Sequence, residues 1–206
     1  MLIQLLFLNP LLFLLIATAI ILAFSLHEYF HAWAAYIQGD PTPKQEGRLT
    51  INPLRHIDPF GTLLLFIIGF GWGKPVPINP YNLKNQKWGP ALVGLAGPGS
   101  NLLMALMAGL VLRFFEFHNP GFLTFLLFFV WFNIALGIFN LIPVFPLDGS
   151  HILFAFLPAS AENIKMQFLR NTLFLTIFAI LFMYFIGFPF ICSPLFTLIT
   201  GIAAPF

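Results

Sequence analysis

Two histidines and a glutamate stand within five residues, His27-Glu28-Tyr29-Phe30-His31, in a stretch that is otherwise apolar. On a helix, residues four apart share a face, so both imidazoles can aim at one cation while Glu28, about 100° round from His27, approaches a water beside it. H-E-x-x-H on a helix is the metalloprotease pattern: two imidazole ligands, a third protein ligand from elsewhere, and an open coordination position. In that chemistry Glu28 takes a proton from the attacking water and hands it to the leaving amine. The competing reading is a pair of packing histidines near a solvated helix end, which leaves Glu28 in need of a buried partner.

The solvent around these groups is lipid. Of 206 residues, 59% are hydrophobic and 8% charged, 28 are Phe, and the mean hydropathy is +0.92. An ordinary soluble domain is roughly 25% charged. The chain therefore reads as one integral membrane domain over residues 1–206, with no basic run that suggests nucleic acid. Cys192 is the single cysteine, which excludes an intrachain disulfide and a Cys-rich zinc cage and leaves His and carboxylates to hold any metal. The N-terminus lacks a basic leader and a small-residue cleavage site, so it is expected to be retained.

The first span is expected from Pro10 to about Gln38, between an Asn9-Pro10 start and a Gly39-Asp40-Pro41 stop; as a helix it is about 43 Å long. Further spans are expected at about 89–114, 122–141 and 169–187, followed by an apolar tail, 188–206, that Pro189 and Pro194 break. The fold class is thus an all-α polytopic membrane protein of about four transmembrane helices. Between the first two spans, GTLLLFIIGFGW at 61–72 reaches only about 18 Å as a helix. It is too short to cross, so a re-entrant or β-hairpin insertion is expected over about 47–75. Of nine Lys and Arg, only Arg113 falls away from the face that carries Lys44, Arg48, Arg55, Lys74, Lys84, Lys87, Lys165 and Arg170. The positive-inside bias makes that face cytoplasmic and puts both termini outside, in a multi-pass cell-membrane protein with its His/Glu cluster toward the cytoplasmic side.

A third ligand must come from the same depth. The chain has three Asp residues: Asp40 abuts the helix stop, Asp58 sits in a polar loop, and Asp148 follows the third span in NLIPVFPLDG. The third span runs toward the cytoplasm, so its end meets the half of the first helix that holds His27 and His31, which favours Asp148. Pro143 and Pro146 block a regular helix there, and an irregular segment buried in protein is expected. The alternative is an ordinary Asp-Gly turn that caps the next helix.

HEYFH in a membrane helix, with NLIPVFPLDG about 110 residues on, resembles the site-2 protease family of intramembrane zinc metalloproteases. LAGPGSN at 95–101, NPLRHIDPFGT and GWGKPVPINP extend the resemblance to its compact prokaryotic members. It implies one zinc ion per chain, held by His27, His31 and Asp148, with Glu28 as the catalytic base. It also implies that Asn140, which opens the second motif, contacts the substrate or donates to the developing oxyanion; a packing or capping role is the alternative. Membrane-spanning proteins or spent signal peptides are the implied substrates, within a lipid bilayer; oligomeric state is not implied. The second motif usually continues to a basic arginine, where this chain has His151, and there is no room for the PDZ module of some relatives.

The other polar residues read more weakly. His56 and Asp58 favour a loop hydrogen-bond network over the site. Asn101 either supports a ligand histidine or packs with Gly97, Gly99 and Ser100. GRLTI at 47–51 has the alternation of a strand edge on which an unwound substrate could pair. A di-iron oxygenase needs more His clusters than five histidines supply. A metal-binding transporter or inactive scaffold is the remaining alternative, though the chain shows neither a polar pathway nor an internal repeat.

Overall fold

The structure, a computed structural model, describes residues 2–205, with the backbone alone for Ala159 and Glu162. Asn9 opens the first long helix by accepting a hydrogen bond from the Leu12 amide at 3.1 Å, and Pro10, which has no amide hydrogen to leave unpaired, takes the first turn. A short helix α1 (Leu2–Leu8) leads into α2 (Pro10–Ile37), which ends where Gly39 turns left-handed at φ 104°. After α3 (Thr42–Gln45) and α4 (Pro59–Ile68) come the long helices α5 (Gly89–Phe114) and α6 (Pro120–Leu141). Then follow α7 (Gly149–Phe156), α8 (Glu162–Arg170), α9 (Thr172–Phe182), a π-helical stretch (Met183–Cys192) and α10 (Ser193–Thr200). Among the described residues, four helices are long and apolar enough to cross a membrane: α2, α5, α6 and the continuous run 172–200.

That last span differs from expectation. It starts at Thr172 and absorbs residues 188–200 instead of stopping at Gly187. Pro189 cannot donate to an α-helical ladder, but here the turns widen, the Ser193 amide reaches Phe188 five residues back, and the helix passes through the proline unbroken.

Over 47–75 there is no strand among the described residues, which sets the β-hairpin aside; the segment instead forms the short helix α4 and doubles back on it. Asp58 caps α4 by accepting from the Gly61 amide at 2.7 Å, and Gly69, at φ 81°, ends it. The chain then returns against the helix it has just left, so close that a Cβ on Gly61 would sit 2.1 Å from the Trp72 carbonyl oxygen. A backbone bond from the Lys74 amide to the His56 carbonyl, 2.8 Å, closes the loop at its base. Phe66 packs on Phe13, ring centroids 5.3 Å apart, while Gly73 lies against the Phe24 ring. GRLTI is not a strand: Gly47 turns at φ 66° and the Arg48 side chain is buried among loop carbonyls.

The core is a three-helix bundle of α2, α5 and α6. Lipid offers no hydrophobic drive for helices to associate, so close packing of small residues does that work. On α2 the buried face is Ala19, Ala23, Ala32 and Ala35; on α5 it is Gly94, Gly97, Ser100, Ala105 and Gly109. A second cluster, with Trp131 stacked near Phe188 and edge-on to Phe196, seats the last span against α6.

Candidate metal centre

The i, i+4 spacing on α2 brings His27 and His31 onto one face, with their Nε2 atoms 2.9 Å apart. Asp148 arrives from the irregular segment after α6, and its Oδ2 lies 3.1 Å from His27 Nε2 and 3.2 Å from His31 Nε2. Asp148 stands at the N-cap position of α7 but makes no capping hydrogen bond, so the helix-cap reading does not account for it. The segment 142–148 is irregular, as its prolines require, with a cis Phe145-Pro146 bond.

The hydrogen bonds behind the rings decide what this trio can hold. His31 Nδ1 faces the Val93 carbonyl oxygen at 2.7 Å, which can only accept, so Nδ1 carries the proton. His27 Nδ1 faces Asn101 Oδ1 at 2.6 Å. The amide orientation of Asn101 is fixed in turn, because its Nδ2 donates to the Ala23 carbonyl at 3.1 Å and to Asn133 Oδ1 at 2.8 Å. His27 Nδ1 is therefore also the donor. With both Nδ1 atoms protonated, the neutral rings present bare Nε2 lone pairs to each other and to a carboxylate. Three acceptors meet with no donor, and Asp148 Oδ2 is buried without a hydrogen-bond partner. A cation between them resolves the conflict. Tetrahedral zinc at about 2.0–2.1 Å from each ligand sets ligand atoms about 3.3 Å apart, close to the spacings found, and two imidazoles and a carboxylate are ligands zinc takes. His27, His31 and Asp148 form a group that could hold one metal ion.

The pocket floor is α5. A Cβ on Gly97 would lie 2.3 Å from His31 Nε2 and 2.8 Å from His27 Cε1, so only glycine lets the helix approach both rings. Asn101, read beforehand as either a support or a packing residue, is the support. Asn133 behind it, whose Nδ2 donates to the Phe129 carbonyl at 2.8 Å, escaped notice in the sequence. Its signal was there: an amide amid the phenylalanines of an apolar span is a polar group at membrane depth. Of the Gly97, Gly99 and Ser100 cluster, Gly99 faces open space.

Glu28 is buried at 8% exposure and accepts no hydrogen bond from the described residues. Asn140 ends α6 with its Nδ2 turned back to the Leu136 carbonyl at 3.1 Å, and makes no hydrogen bond to the trio. His56 and Asp58 stay in the loop: His56 Nε2 donates to the Thr50 carbonyl at 2.7 Å and Asp58 caps α4. Asp40 ties the end of α2 to 79–82 by accepting from Thr42, Asn79 and Asn82. His151, on the first turn of α7, is exposed, and its amide donates to the Asp148 carbonyl at 3.0 Å.

The sequence model of Peptidase family M50 matches residues 115–184, which include Asn140 and Asp148 but not the α2 histidines. The chain is 40% identical over 142 residues to the Bacillus subtilis protein named "Putative zinc metalloprotease YwhC", covering 65% of each chain. It is 32% identical over 145 residues to Rip2 of Mycolicibacterium smegmatis, which bears the same description, covering 66% of this chain and 55% of Rip2. Over 83 residues it is 36% identical to "Zinc metalloprotease MJ0392" of Methanocaldococcus jannaschii, covering 40% of this chain and 24% of that protein. The chain thus spans less than two thirds of the length of these relatives. No solved structure matches it. By the family match over 115–184, and by its similarity over about two thirds of its length to proteins named putative zinc metalloproteases, the chain resembles the M50 peptidases.

Proposed function

We propose that the protein is a zinc-dependent endopeptidase that hydrolyses peptide bonds of membrane-spanning substrates, with Glu28 as its general base. The observation that carries this is the meeting of three proton-free acceptors, one of them the unpartnered Asp148 Oδ2, with the buried Glu28 one residue from His27. A bilayer gives no reason to bury such groups unless they do chemistry.

When bound by His27, His31 and Asp148, zinc supplies a Lewis acid that eases ionisation of water and polarises the scissile carbonyl. The protein does the rest. Nδ1 of each ligand histidine is tethered, to Asn101 and to Val93, which keeps both Nε2 lone pairs on one point. Glu28 removes a proton from the attacking water as its oxygen adds to the carbonyl carbon, then donates that proton to the amide nitrogen as the C–N bond breaks. One water is consumed, and a carboxylate and an amine leave. Asn140 serves the substrate carbonyl by turning its amide from Leu136. Because a helix shields its peptide bonds, the substrate unwinds locally first.

The basic residues support a cytoplasmic location for the site and an outside location for both termini in the cell membrane. Eight of nine gather at the α2–α5 and α7–α9 connections, the end of the bundle nearest the trio. His31 lies six residues, about 9 Å, from the end of α2 at that face. A transporter or inert scaffold finds no comparable support.

The test is Glu28→Gln. Cleavage of membrane-spanning reporters falls by about 10²–10⁴-fold while bound zinc, measured by elemental analysis, stays near one per chain. Equal processing by both proteins overturns the mechanism, and absence of zinc from both overturns the site.

A further inference from the structure

We propose that the base of the α4 loop is a binding site for the headgroup phosphate of an anionic phospholipid. Its centre is Arg48, which is only 5% exposed yet has no carboxylate within ion-pair distance among the described residues. A buried guanidinium without a counter-charge is costly. Its Nη1 donates to the carbonyls of Arg55 and Lys74, which staples the two ends of the loop that carries α4. That use leaves Nη2 and Nε, and neither is sealed in protein. Arg48 lines a cavity of about 420 Å³ together with Arg55, Lys74, Leu54, Pro75 and Glu46.

Three cations against one carboxylate, with a planar fork of free donors at the back, is a receptor for a tetrahedral oxyanion. The surroundings favour a lipid as its carrier. Leu54 and Ile51, beside the cations, are exposed at 78% and 66%. Three of the four tryptophans, Trp33, Trp72 and Trp88, are exposed toward this end of the bundle, as residues at headgroup level are. A phosphate held at Arg48 would have its acyl chains beside apolar side chains, an arrangement that serves no soluble ion. The site stands independently of the peptidase reading, because none of its residues belongs to the trio.

The test uses the full chain in vesicles of mixed phosphatidylcholine and phosphatidylglycerol, followed by native mass spectrometry of the lipids it retains. The wild type keeps phosphatidylglycerol over phosphatidylcholine, and Arg55→Gln and Lys74→Gln each cut that preference about fivefold, the effect of one cation at an anionic surface. Both rim the cavity and leave the Arg48 staple intact. Lys44→Gln, whose Nζ bonds Tyr36 on the same face away from the cavity, leaves the preference unchanged. No preference in the wild type overturns the proposal, as does an equal loss in Lys44→Gln, which signifies diffuse surface charge. Displacement of the lipid by millimolar inorganic phosphate overturns its assignment to a lipid and gives the site to soluble phosphate.

Discussion

The helices α2 and α6 and the last span, 172–200, have the same mean hydropathy, 2.3, yet they are built for different neighbours. In their most apolar stretches, 39% of α2 and 33% of α6 lie inside the protein, against 17% of the last span. The difference is in which residues interrupt the apolar run. On α2 they include buried alanines, a serine, two histidines and a glutamate; on α6 they include the buried Asn133 and Gly137; on the last span they include Thr176 and Thr197, whose hydroxyls donate back to carbonyls of their own helix. Hydropathy reports what lipid tolerates. Small and amide-bearing residues report which helices hold one another, and the site lies where those coincide.

If that division is right, substitutions in the three-helix bundle act on metal binding and those in the last span do not. The largest effect is expected at Asp148→Ala, which removes one of three ligands and leaves two histidines facing each other; zinc affinity falls by more than about 100-fold by competition with a chelator. Asp58→Ala, in the loop, leaves that affinity unchanged. A weakened site in Asp58→Ala and an intact one in Asp148→Ala would reassign the third ligand.

Next comes Asn133→Leu, which touches neither ligand nor substrate. It deprives Asn101 of one of the two acceptors that fix its amide, and through it loosens the His27 tautomer. Zinc affinity is expected to fall about 10-fold, at the lower end of what lost outer hydrogen bonds cost. Retained affinity with retained fold breaks the relay.

A smaller, pH-dependent effect is expected outside the bundle. Burial alone raises the Asp40 carboxyl, but hydrogen bonds from Thr42, Asn82 and Asn79 outweigh it and hold the group below the ordinary carboxylate range. A lowered folded value means that the carboxylate's contribution is full above the unfolded value, near 4, and is lost as pH falls through the folded value. Asp40→Asn is therefore less stable than wild type at neutral pH by about 1–3 kcal/mol, the cost of mismatched buried hydrogen bonds. The gap between their melting temperatures narrows below about pH 4. A gap that widens on acidification contradicts the assignment.

The sequence showed these regions unequally. Apolar run length locates α2, α5 and α6 to within about two residues, although the Asn119-Pro120 cap that starts α6 two residues before the expected 122 was not read. The Asn9-Pro10 cap of α2 was read, because it is local chemistry. His27, Glu28 and His31 were visible for the same reason: their geometry is one helical turn. Asp148 could be reached through span direction, and its Oδ2 does meet both rings. Asn133 was legible only as a polar group at membrane depth, and its role was not, since that depends on Asn101 lying across from it on another helix, 32 residues earlier. The end of the last span was misjudged because proline was read against an α-helical ladder, and the wider register that absorbs it depends on Trp131 and its partners.

That register supplies the smallest prediction. Pro189→Ala restores an amide donor to a stretch already bonded five residues apart, in a span that gives nothing to the trio. Local helix geometry shifts, since alanine permits the α-helical ladder that proline forbids. The seating of Phe188 on Trp131 shifts with it, whereas the path from Asn133 through Asn101 to His27 shares no residue with that contact. Zinc affinity is therefore expected to stay within about twofold, well short of the tenfold loss at Asn133→Leu, by the same chelator competition. A loss at Pro189→Ala as large as that at Asn133→Leu would show that the last span steadies the site through α6, and the division between the bundle and its outer helix would fall.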